Sequence, residues 1–381
     1  MEAITSSSLA APSPAPAGPG EPVVPPGTKI ARLQERGYLR SRAGKGRFVY
    51  ATASGGRPSA ADLDRIRQLA LPPAWTDVAI ARSASAPLQA VGRDAAGRWQ
   101  YRYSAAHVRA REEKKGDRLA AFIRAMPALR TRVEKGLSSP PLSREQVMSA
   151  MLRILCVSFV RPGSKQYAEQ NGSFGLATLR RQHVSVKGVT ITLSFPGKAK
   201  KTQQRRFVDR QIAPILRSLL ALRGRQVFQY RDEEGAIHAI RRRDINSYIQ
   251  EVMGRRFTAK DFRTWAGTVL CAARLVEAAP AEAGTHAEQR RILSRCMREV
   301  ADCLGNTPAV CRTSYVSPRI LTAYESGSLP AKLPPFELTR IARRPGLSAV
   351  EREVLRLVDV GKRQEQTRRA GATRRTGRKN D

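Results

Sequence analysis

Leu304-Gly305-Asn306-Thr307-Pro308-Ala309-Val310-Cys311-Arg312-Thr313-Ser314-Tyr315 reads as the end of one helix, a turn, and the start of another. Gly305 suits the left-handed residue that closes a helix, and Thr307-Pro308 suits an N-cap followed by the first helical position. The second, short helix then presents Tyr315, and the amide of Asn306 can face the same space as the phenol. The chain has 381 residues with 68 Lys+Arg against 32 Asp+Glu. In so basic a protein, a presented tyrosine beside a polar turn points to chemistry on a phosphate. The plainer alternative is a half-buried tyrosine at a helix junction, one of nine in the chain.

The net charge of +36 is far beyond what solubility requires and is the electrostatic footprint of a polyanion partner, most often nucleic acid. A hydrophobic fraction of 41% supports packed cores, so the chain is not a disordered polycation. The five cysteines form no CxxC pair and mostly lie on apolar helical patterns, which predicts reduced core thiols. The four histidines form no His-x-x-x-His pair, so no structural zinc site is expected, and no carboxylate cluster suggests a required metal or cofactor. No apolar run approaches the ~18–20 residues of a membrane span, and Met1-Glu2 lacks the cationic start of a signal peptide. A cytoplasmic, nucleoid-associated protein is expected.

Upstream of the opening stretch, residues 286–304 read as the helix that leads into it. Thr258-Ala259-Lys260-Asp261 is a capping box whose helix buries Phe262, Ala266, Val269, Leu270, Ala273 and Val276. Lys260, Arg263 and Gly267 fall on one flank at three- and four-residue spacing, with little bulk beside Arg263. Residues 183–208 alternate as a small sheet: His183–Val186 and Val189–Phe195 flank a Lys187-Gly188 turn, and Arg205–Val208 returns. Lys198 lies between, at a glycine-flanked tip able to swing over a ligand; the alternative is an edge-strand gatekeeper lysine. Ser143-Arg144-Glu145-Gln146 is a second capping box, and its helix runs to Arg161-Pro162-Gly163. Pro162 disfavours helix at Arg161, which fixes that guanidinium at the exit either as an anion ligand or as a C-terminal capping cation.

Toward the N-terminus, residues 46–51, 78–80, 88–91 and 99–103 read as strands around a helix at 60–70. In the last strand Trp99, Tyr101 and Tyr103 share one face, with Gln100 and Arg102 on the other. Such an aromatic face is more often core than a DNA-facing platform, although hydroxyls at its edge can still reach phosphates. His107–Lys115 is strongly charged and reads as a link between two lobes, followed by a helix around 117–135. The fold class is α+β: a small, mainly β lobe at 28–110 and a larger, mainly α lobe at 111–335 carrying a small antiparallel sheet. An Ala/Pro-rich leader (1–27), a helical extension (336–361) and a basic disordered tail (362–381) complete it.

Taken together, these segments resemble a type IB DNA topoisomerase of the short poxvirus/bacterial kind, from about Gly37 to Tyr324. The resemblance is carried by Leu71-Pro72-Pro73-Ala74-Trp75-Thr76-Asp77-Val78, by Gly92-Arg93-Asp94 through Tyr103, and by Tyr167 through Leu179. Phe195-Pro196-Gly197-Lys198, Lys260 through Trp265 and the opening stretch add to it, all in the family's order. It implies that Tyr315 is the nucleophile, forming a 3′-phosphotyrosine and a free 5′-hydroxyl. It implies that Arg161 and Arg263 hold the non-bridging oxygens, and that Lys198 is the acid to the leaving oxygen. Gln100, Tyr101 and Tyr103 match the segment that grips DNA opposite the catalytic lobe, and the resemblance implies further DNA contacts at Tyr167 and Lys260. The resemblance also implies a monomer clamped around duplex DNA, relaxing supercoils of either sign without nucleotide or metal.

Two departures stand out. Asn306 occupies the place of a histidine in the poxvirus enzymes, which narrows its role to neutral hydrogen bonding, and Pro162 follows the first arginine. The rivals are a tyrosine recombinase, which usually carries His-x-x-Arg where this chain has Lys260-Asp261-Phe262-Arg263, and a non-enzymatic basic DNA-binding protein on the same fold.

Overall fold

The computed structural model describes residues 27–44, 46–278, 285–330, 332–333 and 345–360. The expected basic tail lies outside these residues, as does all of the expected leader but Gly27. The chain divides into two compact units, Met1–Arg111 and Glu112–Asp381.

The first unit is one antiparallel sheet in the order β2-β1-β3-β4-β5. Its strands are β1 (Tyr38–Arg42), β2 (Phe48–Ala51), β3 (Thr76–Ile80), β4 (Leu88–Arg93) and β5 (Trp99–Tyr103). Two helices accompany it, α1 (Lys29–Arg36) and α2 (Ala60–Gln68), each started by a hydroxyl cap: Thr28 accepts from Ala31 N–H and Ser59 from Asp62 N–H. The core gathers Tyr38, Ile66, Val78, Ile80 and Ala90, with Trp75 and Leu69 packed against it. Gly92 is what lets Trp75 in, since a Cβ there would stand 2.7 Å from the indole.

Trp99, Tyr101 and Tyr103 are not part of this core, contrary to the commoner reading of such a face. Tyr101 is 45% exposed and stacks on Tyr103 at 6.3 Å. Tyr103 stacks in turn on His107 at 5.0 Å, with the Arg111 guanidinium 5.5 Å from its ring centroid. The aromatics of this edge strand pack instead against the basic start of a helix.

The expected link proves helical, and the boundary between the two units falls inside it. α3 runs continuously over Ala105–Leu137, with Ser104 Oγ accepting from His107 N–H. Ala, Arg, Glu and Lys are strong helix formers, and their density of charge is what gives the segment the look of a linker.

The second unit packs helices around α8 (Ala259–Ala278). α4 (Arg144–Ser158) is buried from Val147 to its end. It stops three residues before the expected exit at Arg161 because Phe159 takes a left-handed conformation, φ 53°. Its N-cap is half a capping box: Ser143 accepts from Gln146 N–H, but the Gln146 amide takes Leu142 N–H instead. α5 (Lys165–Asn171) comes next, then the antiparallel sheet β6 (Val184–Lys187), β7 (Thr190–Pro196) and β8 (Thr202–Val208). Lys187 pairs with Thr190, so the tight turn is Gly188-Val189, one residue later than expected, with Gly188 at φ +57°.

Beyond the sheet lie α6 (Ile212–Ala221), the hairpin β9 (Gln229–Arg231) and β10 (Ile237–Ala239), and α7 (Arg242–Met253). α9 (His286–Leu304) and the single turn α10 (Pro308–Val310) carry the opening stretch, and α11 (Pro318–Glu325) succeeds it. A further helix, α12, spans 349–360. Glu351 inserts from it into the core and meets Arg130 of α3 and Trp265 of α8. All five cysteines are free thiols, and only Cys303 is exposed.

Candidate active site

The helix junction forms as its residues dictate. Gly305 closes α9 at φ +61°, and Asn306 N–H reaches back to Ala301 O at 3.0 Å. Thr307 caps α10 through Val310 N–H, with Pro308 at the first position. The helix then widens: Cys311–Tyr315 is a π turn, closed by Val316 N–H on Cys311 O at 2.9 Å. Such bulges concentrate at functional sites because the extra residue re-aims a side chain.

The half-buried Tyr315 lies against α8. Thr268 Oγ1 donates to its carbonyl at 3.2 Å, and Gly267 supplies the room. A Cβ at Gly267 would stand 2.9 Å from Tyr315 O, 3.1 Å from Tyr315 Cβ and 3.2 Å from Leu304 Cδ1. Gly267→Ala is therefore expected to shift the Tyr315 backbone by a few tenths of an ångström, which a structure of the variant checks.

One turn back on α8, Arg263 is 3% exposed. It donates to Phe159 O at 2.5 Å and to Leu304 O at 2.7 Å, which fixes it to both chain breaks beside the site. Its guanidinium carbon stands 4.8 Å from the Tyr315 ring centroid. Burial first, and the neighbouring Arg161 second, pull Arg263 down to about 10. Arg161, just past the left-handed Phe159, donates to Asn306 Oδ1 and, at 3.4 Å, to Gly305 O. Burial alone would raise the Tyr315 phenol; Arg263, Arg161 and Lys260 outweigh it and hold the phenol below the ordinary tyrosine value.

Four of the expected residues thus converge: Arg161, Arg263, Asn306 and Tyr315. Lys260, exposed on the first turn of α8, adds its field. Lys198 stands apart on the exposed turn at the β7–β8 tip, but that tip is packed against the site through Gln203. A Cβ on Gly197 would meet Gln203 Cγ at 2.5 Å, and one on Gly305 would collide with Gln203 Oε1. Gly197, Gln203, Arg205, Arg161 and Arg263 line one small cavity. Tyr167 is 58% exposed on α5. Gln100, Tyr101 and Tyr103 belong to the first unit, where the Gln100 amide is held by Asp94 at 2.8 Å.

Sequence reasoning missed Lys115, Gln203, Arg205 and Thr268. Arg205 donates to Ser158 O at 3.1 Å and to Gln203 Oε1 at 3.2 Å, bracing the α4 exit against the hairpin. Only knowing where α3 begins could have aimed Lys115 inward. Among the described residues, no group of three or more His, Cys, Asp or Glu could hold a metal ion. No helix among them is long and apolar enough to cross a membrane.

Residues 104–326, more than half of the chain, match the family described as eukaryotic DNA topoisomerase I, catalytic core. Residues 47–94 match the bacterial DNA topoisomerase IB N-terminal domain. The DNA topoisomerase 1B of Acanthamoeba polyphaga mimivirus is 34% identical over 295 residues, covering 76% of this chain and 88% of the relative. The DNA topoisomerase 1B of vaccinia virus (strain Copenhagen) is 22% identical over 237 residues, 61% of this chain and 70% of its own. The DNA topoisomerase I of monkeypox virus shows the same figures. The chain belongs to the type IB DNA topoisomerases, and so is a type I DNA topoisomerase with DNA as its substrate.

Proposed function

We propose that the protein relaxes positive and negative supercoils by transient cleavage of one strand through Tyr315. The phenolate oxygen attacks a backbone phosphorus, forming a 3′-phosphotyrosine while the bond to the 5′-oxygen breaks. The cut strand swivels about the intact one, and the 5′-hydroxyl then attacks to restore the phosphodiester. The phosphotyrosine conserves the bond energy, so the cycle requires no ATP, and its charges are supplied by side chains rather than by a metal. The convergence of Arg161, Arg263 and Asn306 on one phenol carries this reading.

A phosphodiester is anionic and gains charge on its oxygens as it is attacked. Arg161 and Arg263 offer fixed donors to that charge, and losing one such donor typically costs ~10²–10³ in rate. Asn306 presents its carbonyl oxygen to Arg161, which orients the guanidinium; its amide nitrogen donates one hydrogen to Leu304 O at 3.4 Å and keeps the other for a phosphate oxygen. Lys198 protonates the leaving 5′-oxygen after its tip closes. Gln100, Tyr101 and Tyr103 grip the duplex from the first unit, and Tyr167 and Lys260 from the second. The protein acts as a monomer clamped on DNA, in the cytoplasm on the nucleoid.

The test is covalent capture, without ATP and in the presence of a chelator, of a duplex labelled on the 5′ side of the cut. The label should stay with the protein in a denaturing gel, and peptide mapping should place it on Tyr315. Capture of the 5′ end, or an adduct elsewhere, overturns the proposal. Lys198→Ala should cleave slowly, and a sulfur at the 5′ leaving position should largely restore it because a thiolate leaves unprotonated. No restoration removes the acid role from Lys198.

A further inference from the structure

We propose that Lys115 is a positioning residue for Tyr315, its ammonium holding the backbone on both sides of the nucleophile in line with Arg263. This rests on the reading of Tyr315 as the nucleophile and adds to it a residue that touches neither phosphate nor phenol oxygen.

Lys115 Nζ donates to Thr313 O at 3.2 Å and to Val316 O at 2.8 Å. Those carbonyls bracket Ser314-Tyr315 at the C-terminal end of the π turn, where a helix leaves carbonyls without intrahelical partners. A cation there meets the negative end of the local dipoles. Of the two carbonyls between them, that of Tyr315 itself is taken by Thr268 of α8. The nucleophile's backbone is thus gripped from α3 on one side and from α8 on the other.

The same turn of α3 also fixes α8. Arg118 forms a two-pronged ion pair with Asp261, at 2.5 and 2.7 Å. Asp261 in turn accepts from Thr258 N–H at the start of α8, two residues before Arg263. Gly116, between the two basic residues, leaves the space that the Arg319 guanidinium of α11 occupies; a Cβ there would lie 2.7 Å from its Nη1. One turn, Lys115-Gly116-Asp117-Arg118, therefore sets the tyrosine segment and the arginine helix against each other.

This is an unfavourable place for a lysine, which argues that its charge is used. Burial, opposed by Glu112 and joined by Lys260, brings the ammonium down to about 8. A group kept for packing alone would be served by an apolar stem.

The experiment uses the full chain with Lys115→Met, which keeps the stem and removes the donor, and Lys115→Arg, which keeps a donor. Single-turnover cleavage and religation are followed on a labelled duplex with oxygen or sulfur at the 5′ leaving position. DNA affinity and thermal melting are measured alongside. Lys115→Met should slow cleavage and religation alike, by about 10–100-fold for a charge-assisted bond. The cleavage–religation equilibrium should be unchanged and DNA affinity should stay within about threefold, since the lost bonds act on tyrosine placement and not on binding. Sulfur should not rescue it, and Lys115→Arg should recover most of the rate.

Wild-type speed in Lys115→Met overturns the inference, as does rescue by sulfur, which would make Lys115 a proton donor. Loss of the folded state in Lys115→Met, or an equal loss in Lys115→Arg, also overturns it by assigning the residue to packing. An absent or misplaced adduct in the wild-type protein strikes instead at the nucleophile itself.

Discussion

Tyr315→Phe is expected to abolish covalent capture and plasmid relaxation, a fall on the order of 10⁴–10⁶ for the loss of a nucleophile, while duplex affinity and melting temperature stay near wild type. The contacts that place the residue survive the change. Its carbonyl still accepts from Thr268, the flanking carbonyls still accept from Lys115, and its ring still lies beside Arg263. Only the hydroxyl leaves, so the variant separates chemistry from binding. Relaxation persisting at a measurable fraction of the wild-type rate would transfer the nucleophile to another group. The wild-type enzyme offers a companion measurement. The arginines and Lys260 hold the phenol below the ordinary value, so cleavage should climb with pH and level off below the ~10 of a free tyrosine.

How far this site is legible in the sequence depends on whether its determinants are local. Gly305, Thr307 and Pro308 dictate a helix end and a helix start by backbone chemistry alone, and both stand where that chemistry puts them. The flank of Lys260, Arg263 and Gly267 follows from helical spacing, and Gly267 proves to be the gap into which Tyr315 fits. The Lys198 tip follows from strand alternation, with an error of one residue in the preceding turn.

The hidden part depends on contacts between distant segments or on backbone that no residue type announces. Phe159 adopts a left-handed conformation that a bulky residue rarely takes, and so ends α4 before Arg161. The π turn at Cys311–Tyr315 carries no composition signal. Charge along His107–Lys115 suggests exposure, yet one of those lysines points inward. The aromatics of β5 pack against a helix start that strand alternation does not announce.

The hidden contact with the greatest expected effect on stability is that of Glu351, on a helix beyond the residues that match the topoisomerase I core. Its carboxylate, with no exposed surface, accepts from Arg130 at 3.1 and 2.6 Å, from Trp265 Nε1 at 3.0 Å, and from Ser348 N–H and Oγ at 2.8 and 2.9 Å. Among the described residues, Glu351→Ala leaves the buried Arg130 guanidinium with Gly346 O at 3.0 Å as its one hydrogen-bond acceptor, and takes away the acceptor of the indole N–H. Breaking one side of a buried ion pair costs about 3–5 kcal/mol. For a domain of this size that lowers the melting temperature by roughly 6–20 °C. Removing both ends should cost far less, because Arg130→Met with Glu351→Leu leaves no stranded charge. Trp265 sits two residues past Arg263 on α8, so the single variant should also lose cleavage activity at temperatures where it remains folded, and the double variant should regain it. A single variant that melts within about 1 °C of wild type would show that α12 is not a structural part of the catalytic unit.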